Sequence, residues 1–267
     1  MHVEVYADES GTHDRTGKLE GAREATVAGL AALPDDWARF CVGWKWTLQK
    51  YRAPYFHFRE WRDAEVVARK NRQPTSDFEK NPYRGWSQDK LKSFALELAG
   101  IAGSGNKLLV GDFVDTEHFH ESKLTGGASI GANPYEKCIK GLFAQCLAVI
   151  NTQRASWKNL PVSFIFDTPA NKEWKLAVED AFHSHQKDHP RWTLAFADKT
   201  GVLPLQAADM VAYRTRVITG KWIDDDLSGQ WTDFDMALFK PVFDFCEAHR
   251  DEVLRAFLLG KLRYNPV

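Results

Sequence analysis

The chain has 267 residues, 44% of them hydrophobic and 27% charged, with a formal net charge of −1. That composition excludes wholesale disorder and a fibrous fold. The near-zero charge excludes a generic basic nucleic-acid coat, so any nucleic-acid contact has to come from a local patch.

A chain of this length buries a large core without staples. Cys41, Cys138, Cys146 and Cys246 form neither a CxxC pair nor a zinc spacing. That usage suits reduced thiols, and the expected compartment is the cytoplasm. The start, Met1 to Tyr6, lacks a basic region followed by a long apolar run. The most apolar stretch, 141–150, is well short of the roughly 20 residues of a membrane span, so no membrane partner is expected.

In chain order, residues 2–8 alternate and end in an acid, which predicts a strand. A second strand is expected over 24–31, after a polar loop from Ser10 to Gly21. Pro34 opens a helix to about Lys50, with Asp35 and Asp36 in the first turn, where carboxylates suit the positive helix end. Residues 55–58, Tyr-Phe-His-Phe, are short, aromatic and strand-like. Mixed charges with Pro74, Pro82 and Gly85 mark 62–85 as a surface insertion.

Leu91, Phe94, Ala95, Leu98 and Ile101 share one face of a helix over about 87–102, stopped by Gly103-Ser104-Gly105-Asn106. A buried-type strand (107–114), a Gly/Ser/Thr loop (121–132) and a helix (134–152) follow. Then come a strand (161–167), a helix (171–185), a strand (192–198) and a helix (203–219). An acidic loop and a final helix near 240–259 complete a C-terminal helical extension over 221–267. Early strands that pair locally, then alternating strands and helices, predict a single α/β domain with a mixed sheet.

Three acids stand out. Asp8 ends the first strand and Asp167 ends a later one, and ligands of open α/β sheets bind beyond strand ends where strand order reverses. Asp209 lies in Leu205-Gln206-Ala207-Ala208-Asp209-Met210-Val211-Ala212, a small and apolar stretch where a carboxylate needs a partner. Three carboxylates from separate segments suit Mg²⁺ or Mn²⁺ and phosphodiester cleavage. Loop capping by Asp8 and Asp167, and a backbone hydrogen bond for Asp209, account for the same residues without a metal. Glu9 adjoins Asp8 and faces the other side of a regular strand, so it ranks as a supporting acid, or as an occasional ligand where the strand ends or bulges. His57, beside Glu60, is a candidate general base, metal ligand or phosphate donor, or a satisfied core-edge histidine.

Residues 39–72 hold nine Lys or Arg, Arg59 and Arg62 among them, interleaved with Trp44, Trp46, Tyr51, Tyr55, Phe56, Phe58 and Trp61. Cations and rings together suit a single-strand groove; a solvated face over a core of rings has the same signature. The groupings His183, His185, Asp188, His189 and His118, His120, Glu121 read as polar helix ends.

Tyr6-Ala7-Asp8-Glu9-Ser10-Gly11 resembles the opening signature of the family catalogued as domain of unknown function 3800. Phe56-His57-Phe58 resembles its short histidine-bearing strand, and Phe164-Ile165-Phe166-Asp167 its strand ending in aspartate. Ala197-Asp198-Lys199 followed by Leu205 to Ala212 resembles its closing stretch. The chain departs at Lys199, where many relatives carry Ser, and in the inserted Gly201-Val202.

The resemblance implies a ribonuclease-H-like fold, with a mixed sheet of about five strands and helices on both faces. It implies a metal-dependent nuclease acting on RNA or DNA; some relatives look associated with mobile elements or phage defence. On this reading Asp8, Asp167 and Asp209 hold Mg²⁺ or Mn²⁺, and Glu9 and His57 join them in catalysis. Gln206 and Lys199 are expected to contact a nucleic-acid substrate, as are Arg59 and Arg62 of the basic, aromatic stretch 39–72. Two other expectations stand beside it. One is a non-catalytic nucleic-acid or protein binding module; the other is a metal-dependent hydrolase of small phosphorylated molecules.

Overall fold

The computed structural model describes residues 1–11, 24–70, 76–124, 133–169, 172–223 and 232–240. Its centre is a five-stranded mixed sheet of order β3-β2-β1-β4-β5. The strands are β1 (Val3–Ser10), β2 (Glu24–Ala32), β3 (Leu108–Asp115), β4 (Val162–Asp167) and β5 (Trp192–Ala197). β1 pairs antiparallel with β2, and β2 with β3; β4 runs parallel to β1, and β5 to β4.

Side-chain alternation divides the core in two. Val3, Val5 and Ala7 of β1 and Val162, Phe164 and Phe166 of β4 point into one layer, packed by α5 (Pro134–Gln153) and α6 (Lys172–Gln186). Ala28, Leu30 and Ala32 of β2 point into the other. There they meet α1 (Pro34–Tyr51), α2 (Phe58–Lys70), α3 (Gln88–Ala102) and α7 (Leu203–Ile223). β2 is buried on both faces, which explains its unbroken apolar run. The two remaining α-helices among the described residues are short, α4 (Thr116–Leu124) and α8 (Asp233–Leu238). No helix among the described residues is long and apolar enough to cross a membrane.

Apart from 55–58, the expected strands and the helices α1, α3, α5, α6 and α7 form within a few residues of their expected bounds. α1 begins at a proline whose missing N–H costs a helix start nothing, and Ser87 caps α3 by accepting from Lys90 N–H.

The aromatic segment 55–58 is not a strand. Residues 55–57 are irregular and Phe58 begins α2, because Asp209 Oδ2 accepts the Phe58 N–H at 2.7 Å and supplies a carboxylate to the positive end of that helix. The stretch expected as a surface insertion carries the rest of α2 and the fully buried Tyr83, whose hydroxyl bonds the Tyr55 carbonyl. α4 carries His118, His120 and Glu121 and runs into the expected loop at 121–132, and α8 forms where an acidic loop was expected, through a capping box between Thr232 and Asp235. The loop at 12–21, the loop core at 125–132 and the final helix at 241–259 lie outside the described residues.

Candidate functional site

Strand pairing brings the first two acids together. β1 and β4 are parallel with Ala7 opposite Phe166, so the next residues, Asp8 and Asp167, emerge side by side at the same end of the sheet. Both alternate away from the Val5/Ala7 and Phe164/Phe166 side, hence toward the layer that holds α7. Asp209 on α7 completes the set.

The three carboxylates converge on the ammonium of Lys199, which follows β5. Lys199 Nζ lies 2.7 Å from Asp8 Oδ2, 3.0 Å from Asp167 Oδ2 and 3.7 Å from Asp209 Oδ1. The other oxygen of each acid is fixed by a backbone N–H: Asp8 Oδ1 accepts from Glu9 (2.8 Å), Asp167 Oδ1 from Lys199 (3.0 Å) and Asp209 Oδ2 from Phe58 (2.7 Å). Each acid therefore spends one oxygen on the main chain and turns the other to a single cationic point. Among the described residues no group of three or more His, Cys, Asp or Glu is arranged as a ready-made metal shell, and the point of convergence belongs to Lys199.

Burial governs the charges. The Asp8 and Lys199 side chains are 1% and 20% exposed. Burial raises the Asp8 pKa by more than the charge of Lys199 lowers it, with Asp209 adding to the rise. Burial, then the charge of Asp8, likewise raises that of Asp167. Burial works against the Lys199 ammonium, but the charges of Asp8, Asp209 and Asp167 outweigh it and hold the group protonated far above the ordinary lysine range. Glu9 is also raised, by burial and then by Asp8, and its Oε2 is buried with no hydrogen-bond partner among the described residues.

Beside this cluster opens a cleft of about 510 Å³, lined by Tyr55, His57, Glu60, Asp167, Thr168 and residues 198–200. His57 Nδ1 is 3.7 Å from Glu60 Oε1. Burial lowers the His57 pKa, but the Glu60 interaction and the charge of Asp209 outweigh it and leave the imidazole raised above 6.5.

Asp8, Asp167, Asp209, His57 and Lys199 thus share one site, with Glu9 against Asp8. Gln206, expected to contact substrate, is 0% exposed and fully engaged inside. Its Oε1 accepts from Trp44 Nε1 and Phe56 N–H, both at 2.9 Å, and its Nε2 donates to the Lys199 and Thr200 carbonyls at 3.1 and 3.4 Å. It positions the loop that carries Lys199 rather than facing the cleft.

Arg59 and Arg62 are exposed on α2 and line no part of the cleft. Arg62 bonds the Tyr213 hydroxyl and borders a separate groove of about 650 Å³ with Trp61, Arg69 and Phe234. Nor do the rings of 44–61 form an open stacking platform. Trp44, Phe56 and Phe58 are core residues, Tyr51, Tyr55 and Trp61 are half-buried, and Trp46 alone among these rings is exposed, at 58%.

Two features escaped sequence reasoning. Lys199 is the hub of the acids rather than a peripheral contact; its place just past a β-strand end was the available signal. Tyr55, Thr168 and Thr200 line the cleft and carry no motif. No family model, curated protein or solved structure matches the chain.

Proposed function

We propose that this chain is a divalent-metal-dependent phosphodiesterase with a ribonuclease-H-like fold, hydrolysing RNA, DNA or a smaller phosphate ester. One observation carries the reading: three carboxylate oxygens, from β1, β4 and α7, turn toward a single point that already holds a positive charge. The mixed five-stranded sheet with helices on both faces, and the four short motifs in order, support the fold assignment.

The donor set fits Mg²⁺ or Mn²⁺. It offers hard oxygens already oriented by backbone N–H groups, with Glu9 Oε2, next in the chain to Asp8, buried and without a hydrogen-bond partner among the described residues. Asp8, Asp167 and Asp209 would hold the ion. When bound, such an ion polarises a phosphoryl oxygen and acidifies a water.

The protein's own groups do the rest. His57, kept protonated to higher pH by Glu60 and Asp209, hydrogen-bonds a phosphoryl oxygen or passes a proton to the departing oxygen. Thr168 and Thr200 offer hydroxyls along the cleft wall. Gln206 fixes the backbone of residues 199 and 200 against α1.

The test is hydrolysis of single-stranded RNA, single-stranded DNA, an RNA–DNA hybrid and bis(4-nitrophenyl) phosphate, each with Mg²⁺ and with Mn²⁺. The expected result is metal-dependent turnover of at least one substrate, reduced to background by Asp8→Asn, Asp167→Asn or Asp209→Asn in folded protein. No turnover of any substrate with either ion overturns the proposal. The ammonium at the centre of the cluster favours a second reading, a catalytically silent binding module. That reading calls for binding of nucleic acid or a protein partner that is indifferent to divalent ions.

A further inference from the structure

We infer that Lys199 is a resident counter-ion that competes with the divalent cation for the acid cluster, so that metal enters only as the ammonium leaves. This rests on reading the cluster as a metal site. Steric and charge arguments agree. Lys199 Nζ sits 2.7 and 3.0 Å from the same Asp8 and Asp167 oxygens that a Mg²⁺ ion would take at ~2.0–2.1 Å, so both cannot occupy that point. Three carboxylates against one ammonium leave two formal negative charges, which attract a divalent ion, but with Lys199 in place the ion meets a positive charge at the centre.

The geometry also supplies an exit. The backbone of Lys199 is held independently of its side chain: its N–H donates to Asp167 Oδ1 and its carbonyl accepts from Gln206 Nε2. The side chain is 20% exposed and lines the cleft, so it swings out by side-chain rotation with both anchors intact. Once out, the ammonium faces the space beside His57 and Thr200, where it can meet an anionic phosphate. Lys199 thus keeps the buried acids compensated while metal is absent and adds a positive charge to the cleft when metal is present.

A competitor that leaves the site free only part of the time weakens apparent affinity by that fraction. With the lysine-out state populated at ~1–10%, removing the ammonium tightens metal binding ~10–100-fold. The experiment is calorimetric titration of the full chain with Mn²⁺ and with Mg²⁺, comparing wild type with Lys199→Met, which keeps length without charge, and Lys199→Arg, which keeps charge.

The expected order is Lys199→Met ~10–100-fold tighter than wild type, with Lys199→Arg no tighter than wild type. Equal affinities for wild type and Lys199→Met overturn the inference and leave the metal site standing. No binding by any of the three overturns the metal reading, and the inference with it. Binding by Lys199→Met alone supports the inference while ruling out a metal-dependent reaction in the native chain. If Lys199→Met does not fold, the wild type still decides the matter. In ¹⁵N-lysine-labelled protein the hydrogen-bonded Lys199 ammonium should give a slowly exchanging signal that is lost in step with Mg²⁺ binding. A signal unchanged at saturating Mg²⁺ overturns the inference.

Discussion

His57 and Glu60 make a pair whose pH behaviour is open to direct measurement. The folded imidazole is raised above 6.5, so its contribution to stability is full below pH 6.5 and is lost as pH rises through the higher folded value. Glu60 is lowered below 4.5: burial opposes this, but His57 and Tyr55 outweigh it, so its contribution is present above pH 4.5 and is lost as pH falls. Both terms are complete only between about pH 4.5 and 6.5, and with the side chains 30% and 33% exposed they amount to no more than ~1 kcal/mol. An NMR titration should place the His57 midpoint above 6.5, and Glu60→Gln should move it down; an unmoved midpoint would show that the pair does not interact. Gln206 acts through packing rather than charge. Gln206→Leu strips partners from the buried Trp44 and Phe56 N–H groups and should cost ~2–5 kcal/mol in urea unfolding.

Among the elements, α8 depends on one side chain. Asp235 closes its capping box with Thr232 and takes a bidentate ion pair from Arg214 of α7, at 2.8 and 2.7 Å. The Asp235 side chain is 3% exposed, so its loss leaves a partly buried guanidinium unpaired. Asp235→Ala should cost ~3–5 kcal/mol by chemical denaturation. α8 also closes tightly on α3: a Cβ at Gly103 would lie 1.9 Å from the Ala237 carbonyl oxygen. Hydrogen exchange in Asp235→Ala should therefore rise in α8 and at the C-terminal end of α3 first. Uniform exchange across the sheet would show instead that α8 contributes no local stability.

Across the whole molecule, the acid cluster ties three distant parts of the chain: β1, β4 and α7, through Asp8, Asp167 and Asp209. A cation bound there links all three, and binding to the folded state alone stabilises it by mass action, ~2.7 kcal/mol at a concentration one hundred times Kd. Mn²⁺ at that level should raise the Tm of the wild type, and Asp209→Asn should abolish the rise. The asparagine can still accept the Phe58 N–H through its carbonyl oxygen, so α2 stays capped and the metal-free Tm should change little. A rise that survives Asp209→Asn would place the ion elsewhere.

Local pattern by itself determined much of this protein. Alternation in residues 2–8, the strand signal at 161–167, the apolar run of β2 and the one-sided face of α3 are short-range features, and those strands and that helix form within a few residues of where they predict. Asp8 and Asp167 were legible because a strand ending in an acid is a local feature. Tertiary structure decided what lies between them. The register of β1 on β4 put the two acids side by side, and α7 crossed above them to add Asp209. The Asp209 carboxylate, 151 residues away, accepts the Phe58 N–H where α2 begins, at the end of an aromatic stretch that reads as a strand. Burial sorted the rings of 44–61 into core and surface, which composition could not do. Lys199 became the hub through distances of under 4 Å to residues 8, 167 and 209. Periodicity and capping act over a few residues, whereas charge compensation in a buried site depends on which distant groups the fold makes neighbours.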